Sequence, residues 1–240
     1  MEKKALSQFR HLDLITVIFV AVLIISNIAS SAKIVDLGFS VFGIRLAFDG
    51  GTLLFPLAYV IGSILTEVYG FAVARRVIWM GFFALSLSAL FFLILRFLPG
   101  DAVWESYAGA AAFDAILGGM SFGGIVLASF SAYLVGKFFN TIIHSRIKVV
   151  MKGRLLWVRT IGSSAVGEFL DSLVFVSIAT LTGVFPRELF VSLVFTNYII
   201  KLSIEILVTP LVYLLVRKLK KAENLDTYDQ GVKYNPFMFW

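Results

Sequence analysis

The 240-residue chain has no cysteine. This excludes a disulfide framework, a thiol nucleophile and a metal or iron–sulfur site held by thiolates. Charge is also scarce: Asp, Glu, Lys and Arg together make up 15% of the chain, against roughly 25% in soluble proteins. There are only two histidines, His11 and His144, and neither lies in a His-Glu-x-x-His motif. A Gly-x4-Gly-Lys-Ser/Thr phosphate loop is absent as well, so the chain carries no P-loop ATPase of its own. Hydrophobic residues are abundant, at 59%, and the mean hydropathy is +0.92. A soluble globule of this size cannot hide that much apolar surface behind so few charges. The chain therefore reads as a membrane protein.

A spanning helix needs about 20 mostly apolar residues. Leu14–Ala32, Gly50–Thr66, Val77–Leu95 and Ala115–Gly136 meet or approach that length without a formal charge in the first, and the segments from about Arg159 to Thr182 and from about Leu189 to Val216 are as apolar but carry charges. The reading is an all-α membrane protein with a six-transmembrane-helix bundle, one domain over residues 1–221, and a flexible tail over 222–240. Met1–Asp13 is too polar for a cleavable signal peptide and is read as retained. The net charge of +6 resembles a nucleic-acid signature until the basic residues are mapped. Fifteen of the 21 fall at one set of helix ends, among them Lys3, Lys4, Arg10, Arg75, Arg76, Lys137, Lys148 and Lys221, and four fall in the opposite loops. That asymmetry marks both termini as cytoplasmic. The partners it implies are the lipid bilayer and its headgroups, not nucleic acid. On the outer side, Ile34–Asp49 alternates apolar and polar residues around Gly38 and Gly43 and reads as a hairpin over the outer mouth. Gly124, Ala128, Ala132 and Gly136 repeat every four residues, a small-residue stripe for close helix packing within one chain or across a homodimer.

Ionisable groups inside spans cost several kcal/mol unless paired or hydrated, so each is a functional candidate. Ser164, Glu168 and Asp171 share one face of the fifth span, with Phe175 extending it; Asn197, Lys201 and Glu205 share one face of the sixth. Asn27 with Ser31, and Tyr59 with Ser63 and Glu67, do the same on the first and second. An ion-pair lattice explains Lys201 with one acid. A cavity for a polar solute explains the surplus of acid and the neighbouring amide and hydroxyl groups as well. A carboxylate accepts two parallel hydrogen bonds from an amidine-like edge, Asn or Lys donates to a carbonyl, and a ring stacks on a flat face. From the residues, the solute is small, polar and rich in heteroatoms. Both histidines read as solvated on cytoplasmic segments, and no three- or four-ligand metal spacing occurs. An intramembrane enzyme is the weaker alternative, and neither cofactor nor metal is expected.

Ser26–Asn27, Pro56-x2-Tyr59, Thr66-Glu67-Val68-Tyr69-Gly70, Ala74-Arg75-Arg76, the run from Arg159 through Ser163, Ser164, Glu168, Asp171 and Ser172 to Phe175, and Asn197-Tyr198-x2-Lys201-x3-Glu205-x4-Pro210 follow one another along the chain. In order and position this series resembles the queuosine precursor transporter family, also called vitamin uptake-like transporters. The resemblance spans about Leu14–Lys221. It implies a bundle akin to the substrate-binding subunits of energy-coupling-factor importers. It also implies uptake of 7-cyano- and 7-aminomethyl-7-deazaguanine across the inner membrane, with Asn27, Tyr59, Glu67, Ser164, Glu168, Asp171, Asn197, Lys201 and Glu205 as substrate-binding residues. Asp171 and Lys201 are the best matched of these. Uptake of another vitamin or nucleobase-like solute, with or without a partner ATPase, is the alternative. In the vitamin-binding subunits an Ala-x3-Ala stripe on the first helix docks that partner. Ala21, Ala29 and Ala32 do not form one, which favours a solitary carrier, monomeric or homodimeric.

Overall fold

A computed structural model describes residues 9–41, 43–121 and 124–237. The helices are α1 (Leu12–Ala32), α2 (Phe55–Tyr69), α3 (Phe71–Phe97), α4 (Ala102–Tyr107), α5 (Gly109–Ser121), α6 (Gly124–Val150), α7 (Leu156–Leu181) and α8 (Phe190–Glu223). Two strands, β1 (Ile34–Val41) and β2 (Ile44–Asp49), follow α1. They pair antiparallel from Ile34 opposite Asp49 to Val41 opposite Ile44, with an irregularity between Asp36 and Ser40. The expected hairpin is therefore present. Ala47 and Phe48 are buried, and β2 lies against α8.

Five segments are long and apolar enough to cross a membrane: Leu12–Ala32, Phe71–Phe97, Val126–Val150, Leu156–Leu181 and Arg187–Glu223. The sequence reads six. The difference lies in α2, whose 15 residues extend only about 22 Å, short of a hydrocarbon core of about 30 Å. Most of α2 is buried, from Pro56 and Ala58 through to Tyr69, so it forms the middle of the bundle rather than its lipid face. The outside is apolar. Phe83, Phe97, Leu181 and Leu207 are among many large hydrophobic side chains left exposed, a surface that suits lipid.

The segment Ala115–Gly136, expected as one span, is divided between α5 and α6, and α6 continues to Val150. Lys137 then lies in mid-helix, not at a cytoplasmic end, and it is fully buried. Ala128 and Ala132 of the small-residue stripe pack against Phe175, Val176 and Ala179 of α7 and Leu193 of α8. A Cβ on Gly136 would meet Asp171 Cβ at 2.7 Å and the Gly167 carbonyl at 2.9 Å, so this stripe serves packing within the chain.

The tail differs from the flexible segment that the composition suggests. Asp229 accepts from the Phe71 amide at 2.9 Å and from Ser145 Oγ at 2.6 Å, which satisfies an otherwise orphaned amide at the start of α3. Arg75 and Trp79 donate to the carbonyls of Asn235 and Pro236. Tyr234 packs edge-on against Phe71 and lies under the Arg146 guanidinium. Gly70 joins α2 to α3 at φ 85° beside Thr227 and Asp229, with a Cβ there meeting Thr227 at 2.6 Å. A side chain would be strained at that φ and would also push the tail away. The bundle thus has a hairpin end and a tail end.

Candidate functional site

The polar groups inside the bundle fall into three layers from the hairpin end to the tail end. Nearest the hairpin is a small cavity of about 20 Å³, room for little more than one water and well below the usual range for ligand sites. Asn27, Asp49, Asp171 and Lys201 bring its polar groups; Phe55 and Phe175 bring rings. Lys201 Nζ donates to Asp171 Oδ2 at 2.7 Å and lies 3.4 Å from Ser172 Oγ and 4.9 Å from the centre of the Phe55 ring. Asn27 Nδ2 is turned to the Leu23 carbonyl at 2.8 Å. Asp49 is buried and takes hydrogen bonds from the Gly51 amide, Asn197 Nδ2, Thr52 Oγ1 and Ser30 Oγ. Asn197 therefore acts through Asp49. Two acids and one lysine leave this layer one negative charge in surplus.

Tyr59, Ser164, Glu168 and Glu205 lie deeper, and none of them lines the cavity. Ser164 Oγ donates to Glu205 Oε1 at 2.6 Å and accepts from Asn140 Nδ2 at 2.9 Å. Tyr59 Oη donates to the Gly167 carbonyl at 3.3 Å. Lys137 Nζ sits 3.8 Å from the centre of the Tyr59 ring, a cation–π contact. Among the described residues, Lys137 Nζ, both carboxyl oxygens of Glu168 and Glu205 Oε2 are buried with no hydrogen-bond partner.

Glu67, expected in the substrate site, is two turns further along α2 from Tyr59, about 12 Å by helical rise. It belongs to the tail end. Its carboxylate is bidentate with Arg159 (Nε 2.7 Å, Nη2 2.9 Å) and also meets His144 Nε2 at 3.3 Å, Lys148 Nζ at 3.4 Å and Lys220 Nζ. His144, expected in solvent, is fully buried here. The expected surface role of Lys148 likewise gives way to burial, with hydrogen bonds to the Glu67 and Thr227 carbonyls and to Asp226.

Of the nine expected site residues, Asn27, Asp171 and Lys201 thus share the cavity, Asn197 braces its wall, four form the middle layer, and Glu67 stands apart. Asp49, Lys137, Asn140 and His144 went unread. The signal for α6 was available: Lys137, Asn140 or Thr141, His144 and Lys148 recur at helical spacing, one face of a single helix. A span that ends at Gly136 hides it. Asp49 was hidden by its position as the last residue of the hairpin.

A bundle apolar on the outside, with charges collected in its interior, is the build of a multi-pass membrane carrier. The family described as "Putative vitamin uptake transporter" matches residues 49–215, and the chain belongs to that family. It is 27% identical over 165 residues to the "Probable queuosine precursor transporter" of Bacillus subtilis (strain 168), covering 68% of this chain and 69% of that protein. To the Haemophilus influenzae protein of the same description it is 28% identical over 159 residues, 65% of this chain and 63% of the other. To the "Queuosine precursor transporter" of Escherichia coli (strain K12) it is 25% identical over 182 residues, 75% and 76% of the two chains. No solved structure matches the chain. The protein is a transporter of the cell membrane, in a family of transporters rather than enzymes.

Proposed function

We propose that this transporter imports 7-deazaguanine precursors of queuosine, the 7-cyano and 7-aminomethyl forms, from the hairpin side of the membrane to a cytoplasm that holds both termini. The observation that carries this reading is the pairing of Asp171 with Lys201 at a cavity that also contains Asp49 and two phenylalanine rings. The substrate is a flat base with an N–H edge, a ring carbonyl and, in one form, a cationic arm. Asp171 accepts from the N–H edge. Lys201, whose ammonium has three donors and gives one to Asp171, offers another to the carbonyl, and Asn27 stands close by on α1. Phe55 or Phe175 stacks on the ring face. The surplus acid of this layer suits the aminomethyl cation. The relatives' names agree with that chemistry, and the apolar exterior agrees with a six-segment bundle of which α2 is the short, buried member.

The hairpin and the turn after it cover the cavity at one end, and the Glu67 cluster with the docked tail closes the other, so passage requires the tail end to open. No ATP-binding loop is present in the chain, and the reading is of a carrier that works without a partner ATPase. The test is restoration of queuosine-modified tRNA in cells that lack both precursor synthesis and their own importer, fed either precursor, with and without a partner ATPase. Restoration by the wild type alone is expected, and its loss in Asp171→Asn at normal membrane levels. Failure with both precursors would contradict the reading and favour another vitamin or nucleobase-like solute, in keeping with the family's description.

A further inference from the structure

The middle layer has charge but no cavity. Glu168, Glu205 and Lys137 are fully buried, and the three together carry one negative charge in surplus when all are ionised. Both oxygens of Glu168, one of Glu205 and the ammonium of Lys137 have no hydrogen-bond partner among the described residues. Such groups are costly in a low-dielectric interior unless a ligand completes them. The ligand is not the solute, because none of the three lines the cavity. A metal cation is disfavoured by the Lys137 ammonium already beside the acids. A proton fits: shared by Glu168 and Glu205 next to Lys137, it brings the layer to neutrality.

The groups facing the pair come from every neighbouring helix. They are Tyr59 from α2, Lys137 from α6, Asp171 from α7, and Lys201 from α8. From Glu205 a line of buried polar side chains leads to the tail end. Ser164 Oγ donates to Glu205 at 2.6 Å; Asn140 Nδ2 donates to Ser164 Oγ at 2.9 Å and to Ser163 Oγ at 3.2 Å. Ser163 Oγ lies 3.5 Å from His144 Nδ1, and His144 Nε2 lies 3.3 Å from Glu67. A path of this kind joins the closed acid pair to one face of the membrane and stays apart from the solute cavity.

We infer that Glu168 and Glu205, with Lys137, form a proton-binding site that couples uptake to the proton gradient, one proton entering with each substrate molecule. The proton binds to the carboxyl pair in the outward state. It leaves toward the cytoplasm after the substrate does, on the side marked by Ser164, Ser163 and His144, and only O–H and N–H bonds are made and broken.

The coupling rests on the transport reading above, and the experiment separates the two. The full-length protein is reconstituted in vesicles containing a pH-sensitive dye and supplied with labelled 7-cyano-7-deazaguanine, which carries no charge of its own. A gradient of one pH unit, alkaline inside, is expected to drive up to about a tenfold accumulation for one proton per substrate, and entry of substrate at symmetric pH is expected to acidify the lumen. The ratio of uptake with the gradient to uptake without it is expected to fall to about one in Glu205→Gln. Saturable exchange of labelled for unlabelled substrate with no response to the pH gradient, or a response to a sodium gradient instead, would overturn the coupling and leave the transport reading standing. A second measurement needs no substrate. The infrared spectrum of the purified protein at neutral pH is expected to show the C=O band of a protonated carboxyl that shifts down in deuterium oxide and is lost in Glu168→Gln/Glu205→Gln. Absence of that band in the wild type overturns the proton site whatever the uptake result. Its presence in a protein that exchanges neither precursor would uphold the site and contradict the transport reading.

Discussion

Glu67 and Glu168 are both glutamates without exposed surface, and their surroundings are opposites. Glu67 at the tail end holds Arg159 in two hydrogen bonds and meets His144, Lys148 and Lys220 as well. Glu168 in the middle of the bundle has no hydrogen bond to either oxygen among the described residues. The first carboxylate is a completed structural centre that ties α2 to α6, α7 and α8. The second has bonding capacity left over, and it lies in a layer where the same is true of Glu205 and Lys137. Burial alone therefore says little about a charged residue in a membrane helix. Whether its partners are complete separates a latch from a site.

This contrast is open to attack by substitution. The largest effect is expected of Glu67→Gln, which leaves Arg159, Lys148 and Lys220 around a neutral amide. Breaking one side of a buried ion cluster costs about 3–5 kcal/mol, to be read from chemical unfolding of the purified protein in detergent. A loss under 1 kcal/mol would show the cluster to be hydrated and weak. An intermediate effect is expected at the cavity, where Lys201 and Asp171 are in contact at 2.7 Å. In a double-mutant cycle of Lys201→Met and Asp171→Asn, the single changes should sum to more than the double by about 1–3 kcal/mol, and additivity would argue against the pair. The smallest effect is expected of Glu168→Gln, about 1 kcal/mol or less in either direction, because a neutral amide replaces a buried carboxyl without breaking an ion pair. A loss as large as that of Glu67→Gln would erase the distinction between the two glutamates.

Much of this was legible in the sequence. Apolar runs, free of charge in α1 and carrying a few charges in α7 and α8, mark α1, α3, α7 and α8 to within about seven residues at either end, and Gly38 and Gly43 between alternating residues mark the hairpin. The polar faces of α7 and α8 were visible at steps of three and four, and they do turn inward together. What was not legible depends on pairing across distance. Arg159, Lys148 and Lys220 look like ordinary helix-end cations, and only the fold brings them to one carboxylate. Lys137 reads as a membrane-surface residue because the uncharged run stops at the glycine before it, although α6 continues for a further 14 residues to Val150. Asp49 reads as a turn residue until Asn197, 148 positions away, is found bonded to it. The tail from Leu225 to Phe237 is polar enough to read as free in solution. Asp229 and the backbone carbonyls near Pro236 are nevertheless the partners that the start of α3 needs.

The most direct test of the account is equilibrium binding of labelled 7-aminomethyl-7-deazaguanine to the purified protein, wild type against Asp171→Asn, with each variant checked for cooperative unfolding. Saturable binding at one site per chain is expected in the wild type, with at least a tenfold weaker affinity in Asp171→Asn, a loss of about 1.4 kcal/mol or more. Equal affinity in the two proteins, or no saturable binding in the wild type, would contradict it.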